Sequence, residues 1–382
     1  YDGVADALNN LGAICLERNE LDQAERFYEQ SYGLRENIAN LEVVASSLNG
    51  LGIIVEQKGD LDLAEQFYHQ SLTLREEIGT PEDIGISLNN LGEIHRQRGD
   101  LNKAEEFYLR CLKIDEEIGN PQEIATDLHN LALIHGRRGE FEKAKELHQR
   151  SFSLYQKVGN PREIAHSRYY LLQAYLQSGT LKQANDELEE LAQAALTSEI
   201  PQARVYYHLA MGLMKQKQVD LSSALDFTSK AKAQAAQISH FELLVEASNL
   251  LIHIHLQMYL LLKQSEHKTL IENLLLELEQ LCKRERLHGS YIETLLIQGF
   301  LKRAMFDLLG ATQQFRLAEL LAEERGFRPL AERARKQLKQ LEEQTEILKR
   351  LMFLSPVAYE QVQLQEMASY LQDAKAHLRK EP

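Results

Sequence analysis

The chain has 382 residues, 57 acidic against 43 basic side chains, a formal charge of −14 and 44% hydrophobic residues. That apolar content excludes a disordered chain, and only 7 prolines and 20 glycines favour long helices over a turn-rich β protein. Acids outnumber bases 15 to 5 over residues 1–80, which disfavours direct binding to nucleic acid.

Three cysteines (Cys15, Cys111, Cys282) lie far apart with no CxxC. This speaks against a disulfide framework and a zinc site, and fits a reducing, cytoplasmic compartment. No apolar run reaches the ~18 residues that would mark a membrane span. The most apolar stretch, around Leu250–Leu262, is broken by His253, His255 and Gln257. No signal peptide is visible.

Internal repetition decides the fold. Pro81, Pro121, Pro161 and Pro201 are 40 residues apart. Ala24, Ala64, Ala104, Ala144, Ala184 and Ala224 keep the same period, as do Leu11, Leu51, Leu91, Leu131 and Leu171. Several registers in phase leave no room for chance.

Each unit reads as two helices. The spacing of Ile84, Leu88, Leu91 and His95 predicts a first helix over Asp83–Arg98. Gly99 suits the left-handed position that ends it. Asp100 caps a second helix from Leu101 to about Ile118. Asn120, Pro121 and Glu123 then form the next N-terminus, with Glu123 completing a capping box. Turns this short force antiparallel neighbours. Gly92 and Ala104 are expected to let the two helices of a pair approach closely. Ser31, Ser71, Cys111 and Ser151 share one register and read as small packing residues. Phe27-Tyr28, Phe67-Tyr68 and Phe107-Tyr108 read as core.

Six pairs fill residues 1–237. The sixth is degenerate, with Val219 where glycine is usual. Two divergent pairs follow over 238–327. The first of them carries a short insertion, expected as longer helices around Met258–Leu278. The second is marked by Asp307 to Ala311 with Phe315 and Ala318, which echoes Asp60 to Ala64 with Tyr68 and Ser71. Residues 328–382 read as capping helices, one long helix from Arg328 to Leu354 and a last one from Ser355-Pro356 to about Arg379.

The pattern L-x-x-L-G, then G-D-L-x-x-A, then F-Y resembles the tetratricopeptide repeat (TPR). Its 40-residue form, with N-N-L-G on the first helix, is similar to the repeats of Pins-type spindle-orientation adaptors and kinesin light chains. The C-terminal third looks like the sensor solenoids of prokaryotic regulators, including the maltose-system transcription activators. The resemblance implies an all-α, right-handed superhelical solenoid of about eight helix pairs, with first helices lining a concave groove. It also implies that groove asparagines hold bound peptides.

The side chains expected on that face follow from the register. One row holds Asn9, Asn49, Asn89, His129 and Tyr169, and the next Asn10, Gly50, Asn90, Asn130 and Tyr170. One turn further lie Glu93 and Gln173, then Arg96, with Arg137 beside them. Asparagine is a mediocre helix former, yet it recurs mid-helix here. An amide donates and accepts at once, so a row of them suits an extended peptide backbone. The same amides could instead bond to the neighbouring helix and stiffen the stack. Tyr169, Tyr170, Tyr206 and Tyr207 read equally as a binding hot spot and as packing between pairs. Arg96 and Arg137 alone are basic here, too few for a carboxylate clamp.

No Walker loop, GxGxxG, HExxH or GxSxG is present. Catalytic residues, metal ligands and cofactors are therefore not expected. The first functional expectation is a protein-interaction scaffold or adaptor that grips an extended or helical segment of a partner protein. The acidic N-terminal pairs favour a partner with lysine or arginine. The alternative is a regulatory sensor that closes on a peptide or small ligand and acts on an effector, as the similar Rap-type proteins do. Those place a three-helix bundle before their repeats, whereas the repeats here begin at residue 5. Self-association through a terminal repeat is a third expectation.

Overall fold

The computed structural model describes residues 2–354 apart from 19, 35–39, 80, 198–199, 263–264, 286 and 306. Those residues form seventeen α-helices and no strand. In chain order these are α1 (Asp2–Glu17), α2 (Leu21–Gly33), α3 (Leu41–Gln57), α4 (Leu61–Ile78), α5 (Pro81–Arg98), α6 (Leu101–Ile118), α7 (Pro121–Arg137) and α8 (Phe141–Val158). There follow α9 (Pro161–Ser178), α10 (Leu181–Thr197), α11 (Pro201–Lys217), α12 (Leu221–Gln237), α13 (Phe241–Leu262), α14 (Ser265–Arg284), α15 (His288–Ala304), α16 (Leu308–Glu324) and α17 (Arg328–Leu354). The described residues thus form an all-α repeat solenoid of eight helix pairs and one long further helix. The helix expected after Ser355 lies outside the described residues.

Two compact units are present. One comprises the described residues up to Ile134 together with Glu323–Pro329, and the other runs from His135 to Ala322 and resumes at Leu330.

Local chemistry sets the helix ends. Asp60, Asp100 and Asp220 each accept a hydrogen bond from the amide three residues on. These are the side-chain caps that satisfy orphan N–H groups. Asn120 and Asn160 accept instead from Gln122 and Arg162, two residues on, at 3.1 Å. That is one position short of the capping-box geometry expected with Glu123, and Asn40, which precedes Leu41, makes the same bond to Glu42. Gly59, Gly99, Gly139 and Gly179 close the turns inside pairs with φ between 74° and 82°. Val219 takes that place in the sixth pair and still has φ 63°.

In several pairs a glycine sits 16 residues before a larger side chain and lets it approach. A Cβ on Gly52 or Gly92 would sit 2.6 Å from the ring of Tyr68 or Tyr108. The side chain that fills the gap at Gly92 is Tyr108, and Ala104 is fully buried beside it in α6. Gly299 and Phe315 repeat the device in α15 and α16 with a 2.5 Å approach. The echo read around Asp307 is therefore a true eighth pair. The seventh pair holds the insertion in its longer helices, α13 with 22 residues and α14 with 20.

Small polar residues tie successive helices. Ser31 Oγ donates to the Ala5 carbonyl (3.1 Å) and Ser71 Oγ to that of Ala45 (2.8 Å). Ser47 Oγ donates onward to Ser31 Oγ (2.9 Å), linking α3 to α2. Each such buried bond contributes about 1 kcal/mol and costs more than that if one partner is lost. Leu51, Leu91, Leu131 and Leu171 are buried, whereas Leu11 on α1 is 44% exposed, alongside exposed Val4 and Ile14.

Candidate peptide-binding face

In the N-terminal unit the first helices α1, α3, α5 and α7 carry the asparagine registers. Their amides pair from one repeat to the next. Asn90 Nδ2 donates to Asn49 Oδ1 (2.9 Å), and Asn130 Nδ2 donates to Asn89 Oδ1 (3.0 Å). The offset is 41 residues because the donor occupies the register next to the acceptor's. The row lacks its first rung at Gly50, where a Cβ would strike the ring of Tyr28 at 2.4 Å. Asn9 instead donates to the Val43 carbonyl (3.0 Å), and its Oδ1 lies 2.8 Å from Ser47 Oγ.

The stiffening role weighed for these amides is thus present in the bonds. It uses one N–H of each donor and one oxygen of each acceptor, of the several an amide offers. Asn9, Asn89, Asn90 and Asn130 are half-buried and Asn10 is exposed, whereas Asn49 and His129 are buried.

Beside the row lies a charged network. Tyr68 Oη donates to Glu56 Oε2 and Gln97 Nε2 to Glu56 Oε1, both at 2.7 Å. Arg96 Nε donates to Glu93 Oε2 (2.7 Å), and Tyr108 Oη reaches the same oxygen at 3.2 Å. Burial, with Glu93 adding to it, pushes the Glu56 carboxyl up to about 7 against the bonds from Tyr68 and Gln97. Burial also acts to raise Glu93, but the Arg96 guanidinium and the Gln97 and Tyr108 hydrogen bonds outweigh it and hold that carboxyl below its ordinary value. Sequence reasoning passed over Glu56. Its signal was its register, 40 residues before Arg96.

In the C-terminal unit the expected residues fare differently. Arg137 is exposed. Tyr169 is 1% exposed and belongs to the core. Its hydroxyl and Gln173 Nε2 both donate to Glu246 Oε1, the latter over 3.1 Å. Both residues therefore lie behind the surface, turned towards α13. Tyr206 is likewise in the core, while Tyr170 and Tyr207 pack against it half-buried. Tyr170 meets the His166 ring edge-on at 4.8 Å. Burial, with smaller contributions from Arg162 and His240, depresses His166 to about 4, and burial with His166 nearby depresses His148 to about 3. Glu246 gave no signal in the sequence, because it lies 77 residues from Tyr169 and off the 40-residue period.

A family model described as the MalT-like TPR region matches residues 4–193 and again 51–330. The chain belongs to that tetratricopeptide-repeat family. No curated protein matches it in sequence. Among similar solved structures is a Rap protein complexed with Competence and Sporulation Factor, 13% identical, covering 89% of this chain and 98% of that one, with a TM-score of 0.54. Another is the Rap conjugation gene regulator of the plasmid pLS20 in complex with the Phr* peptide, 14% identical over 72% of this chain and 73% of that one, TM-score 0.53. A third is a Signal Transduction ATPase with Numerous Domains from Pyrococcus horikoshii, bearing a tetratricopeptide repeat sensor. It is 19% identical over 61% of this chain with a TM-score of 0.52, and the matched part is 36% of its length. At these identities the likeness establishes the fold. No described helix is long and apolar enough to cross a membrane.

Proposed function

We propose that this MalT-like TPR chain is a binding module that holds an extended segment of a partner protein along the amide row of its N-terminal unit. The carrying observation is the pair of rungs Asn90–Asn49 and Asn130–Asn89, which fixes amides of successive repeats in one orientation while leaving further hydrogen-bonding valences on the half-buried Asn89, Asn90 and Asn130. An extended backbone offers the complementary N–H and C=O groups, so recognition of this kind tolerates many side chains. Amides already fixed by their neighbours lose little entropy on binding. The acid excess of residues 1–80 favours lysine or arginine in the bound segment. The role is binding rather than catalysis.

The second reading keeps the ligand class and changes the consequence: peptide binding here regulates an effector. It draws support from the two Rap structures, one of which is a complex with the Phr* peptide.

The test is to pan a displayed library of short random peptides against the intact chain and titrate the enriched sequences. Enriched peptides should carry basic residues. Asn90→Ala and Asn130→Ala should each weaken binding by about 1 kcal/mol, or about thirty-fold together, with helicity retained. Equal affinity of the folded double variant would refute the proposal.

A further inference from the structure

The repeat registers expose one interface unlike its neighbours. Between successive pairs, the second helix of one pair meets the first helix of the next through two small polar side chains. At α2–α3 these are Ser31 and Ser47, 2.9 Å apart, and at α4–α5 they are Ser71 and Ser87, 3.4 Å apart. The same registers hold Ser151 and Ser167 in α8 and α9. At α6–α7 they hold Cys111 and Asp127. One turn further along the second helix the charge is reversed as well. Arg75 fills that place in α4, is buried, and donates to Ser87 Oγ (2.8 Å) and the Asp83 carbonyl (2.9 Å). Asp115 fills it in α6. Where the chain supplies its own cation at one interface, the next interface places two carboxylates and a thiol.

These three groups converge. Cys111 Sγ, a carboxylate oxygen of Asp115 and one of Asp127 all lie within 4.8 Å of one another. Cys111 Sγ is 3.5 Å from Asp115 Oδ2 and 3.3 Å from the Gly85 carbonyl oxygen. Asp127 is 2% exposed, and its Oδ2 has no hydrogen-bond partner. A buried carboxylate oxygen without a donor is costly. Gly85 stands where the other repeats carry Ala5, Ala45, Ala125 and Ala165. Burial, then Asp115, push the Asp127 carboxyl up to about 8, and burial with both carboxylates pushes the Cys111 thiol up. Such a pair is satisfied by a shared proton or by a cation.

We propose that Cys111, Asp115 and Asp127, with the Gly85 carbonyl, form a binding site for a zinc-class divalent cation. Bond lengths of about 2.3 Å to sulfur and 2.0–2.2 Å to oxygen imply a sulfur–oxygen edge of about 3.5 Å in a tetrahedron, close to both sulfur–oxygen distances above. One thiolate with oxygen donors suits a borderline ion, whereas calcium and magnesium prefer six or more oxygens. Binding replaces the thiol proton and the proton held by the carboxylate pair, and both pass to solvent. The bound ion links α5, α6 and α7. The proposal departs from the sequence reading of Cys111 as a packing residue and of the chain as lacking metal ligands. The signal was the register 47, 87, 127, 167, in which one acid interrupts a run of serines.

Cobalt(II) is the probe, because a thiolate ligand gives it a near-ultraviolet charge-transfer band. The full chain is stripped with chelator and titrated with cobalt, then with zinc. The expected result is one cobalt per chain, a thiolate band that zinc abolishes, and a higher melting temperature with zinc. Cys111→Ser should remove the band, and Asp127→Ser should weaken binding by about a hundred-fold or more, beyond the loss on removing an outer-sphere partner. Both substitutions install the residue found in the other repeats, so helicity should be kept. Cys15→Ser and Cys282→Ser should leave the band unchanged. A chain that takes up no stoichiometric cobalt, binds it without a thiolate band, or keeps the band in Cys111→Ser would overturn the proposal and leave the carboxylates sharing a proton.

Discussion

The α5–α6 pair and the α11–α12 pair are the same device with different parts. The first turns on Gly99 at φ 74° and clears Tyr108 with Gly92. The second turns on Val219 at φ 63° and sets Gly212 against the smaller Thr228. The left-handed turn survives the loss of its glycine, so helix packing across the pair, not the turn residue, dictates the backbone there. A β-branched residue at positive φ is strained, and the strain is tolerated because the helices on either side are fixed. Burial raises the Glu56 carboxyl in the N-terminal unit and depresses the His148 and His166 imidazoles in the C-terminal unit, shifts of opposite sign.

Acid is the largest lever on that contrast. His148 and His166 have folded pKa values of about 3 and about 4, below the ordinary 6.5. The unfolded chain therefore takes up protons that the fold refuses. Stability should fall as pH drops from about 6.5 towards 4, by at most about 1.4 kcal/mol per pH unit for each histidine. Denaturant unfolding at successive pH values measures the slope, and His148→Leu with His166→Leu should flatten it. A slope unchanged in the double variant would mean the acid sensitivity lies elsewhere.

Gly92→Ala comes next. Its Cβ would meet the buried Tyr108 ring at 2.6 Å, and that ring is held through its hydroxyl by Glu93. A loss of about 2 kcal/mol is expected, whereas Gly136→Ala, where a Cβ meets nothing within 4 Å, should be neutral or slightly stabilising. Similar melting temperatures for the two variants would show that the ring can move aside. Val219→Gly relieves strain and should stabilise by about 1 kcal/mol, read as a rise in melting temperature. A fall would show that the valine side chain contributes more than its backbone costs. Glu56 has the opposite sign to the histidines. Its folded pKa of about 7 is raised, so its contribution is full below about 4.5 and is lost as pH rises through 7. Hydrogen exchange in α3 and α4 should quicken modestly between pH 6 and 8 after correction for intrinsic rates, and Glu56→Gln should abolish the change. An equal change in the variant would assign it to another group.

The 40-residue period made the helices legible. It placed the ends of α5 and α6 within two residues, because proline, glycine and the Asp or Asn caps each act on their own neighbours. It also found the asparagine rows. It did not reveal that Asn90 pairs with Asn49 or Asn130 with Asn89, since a bond between repeats depends on how far each helix is rotated. Tyr169 looked like a groove residue by register and is core, because Glu246 on α13 draws its hydroxyl inward. Cys111 looked inert because its own register is all small residues, and its chemistry emerges only with Asp127 from the next helix.

The most direct measurement concerns the peptide backbone. A selected peptide is synthesised with single N-methyl groups at successive residues, and each form is titrated against the intact chain and against Asn90→Ala/Asn130→Ala. Gripping by the amides predicts that methylation at particular positions weakens binding to the intact chain and has little further effect on the double variant, a coupling seen only between groups in contact. Losses that simply add in the two proteins would contradict it and place the peptide elsewhere.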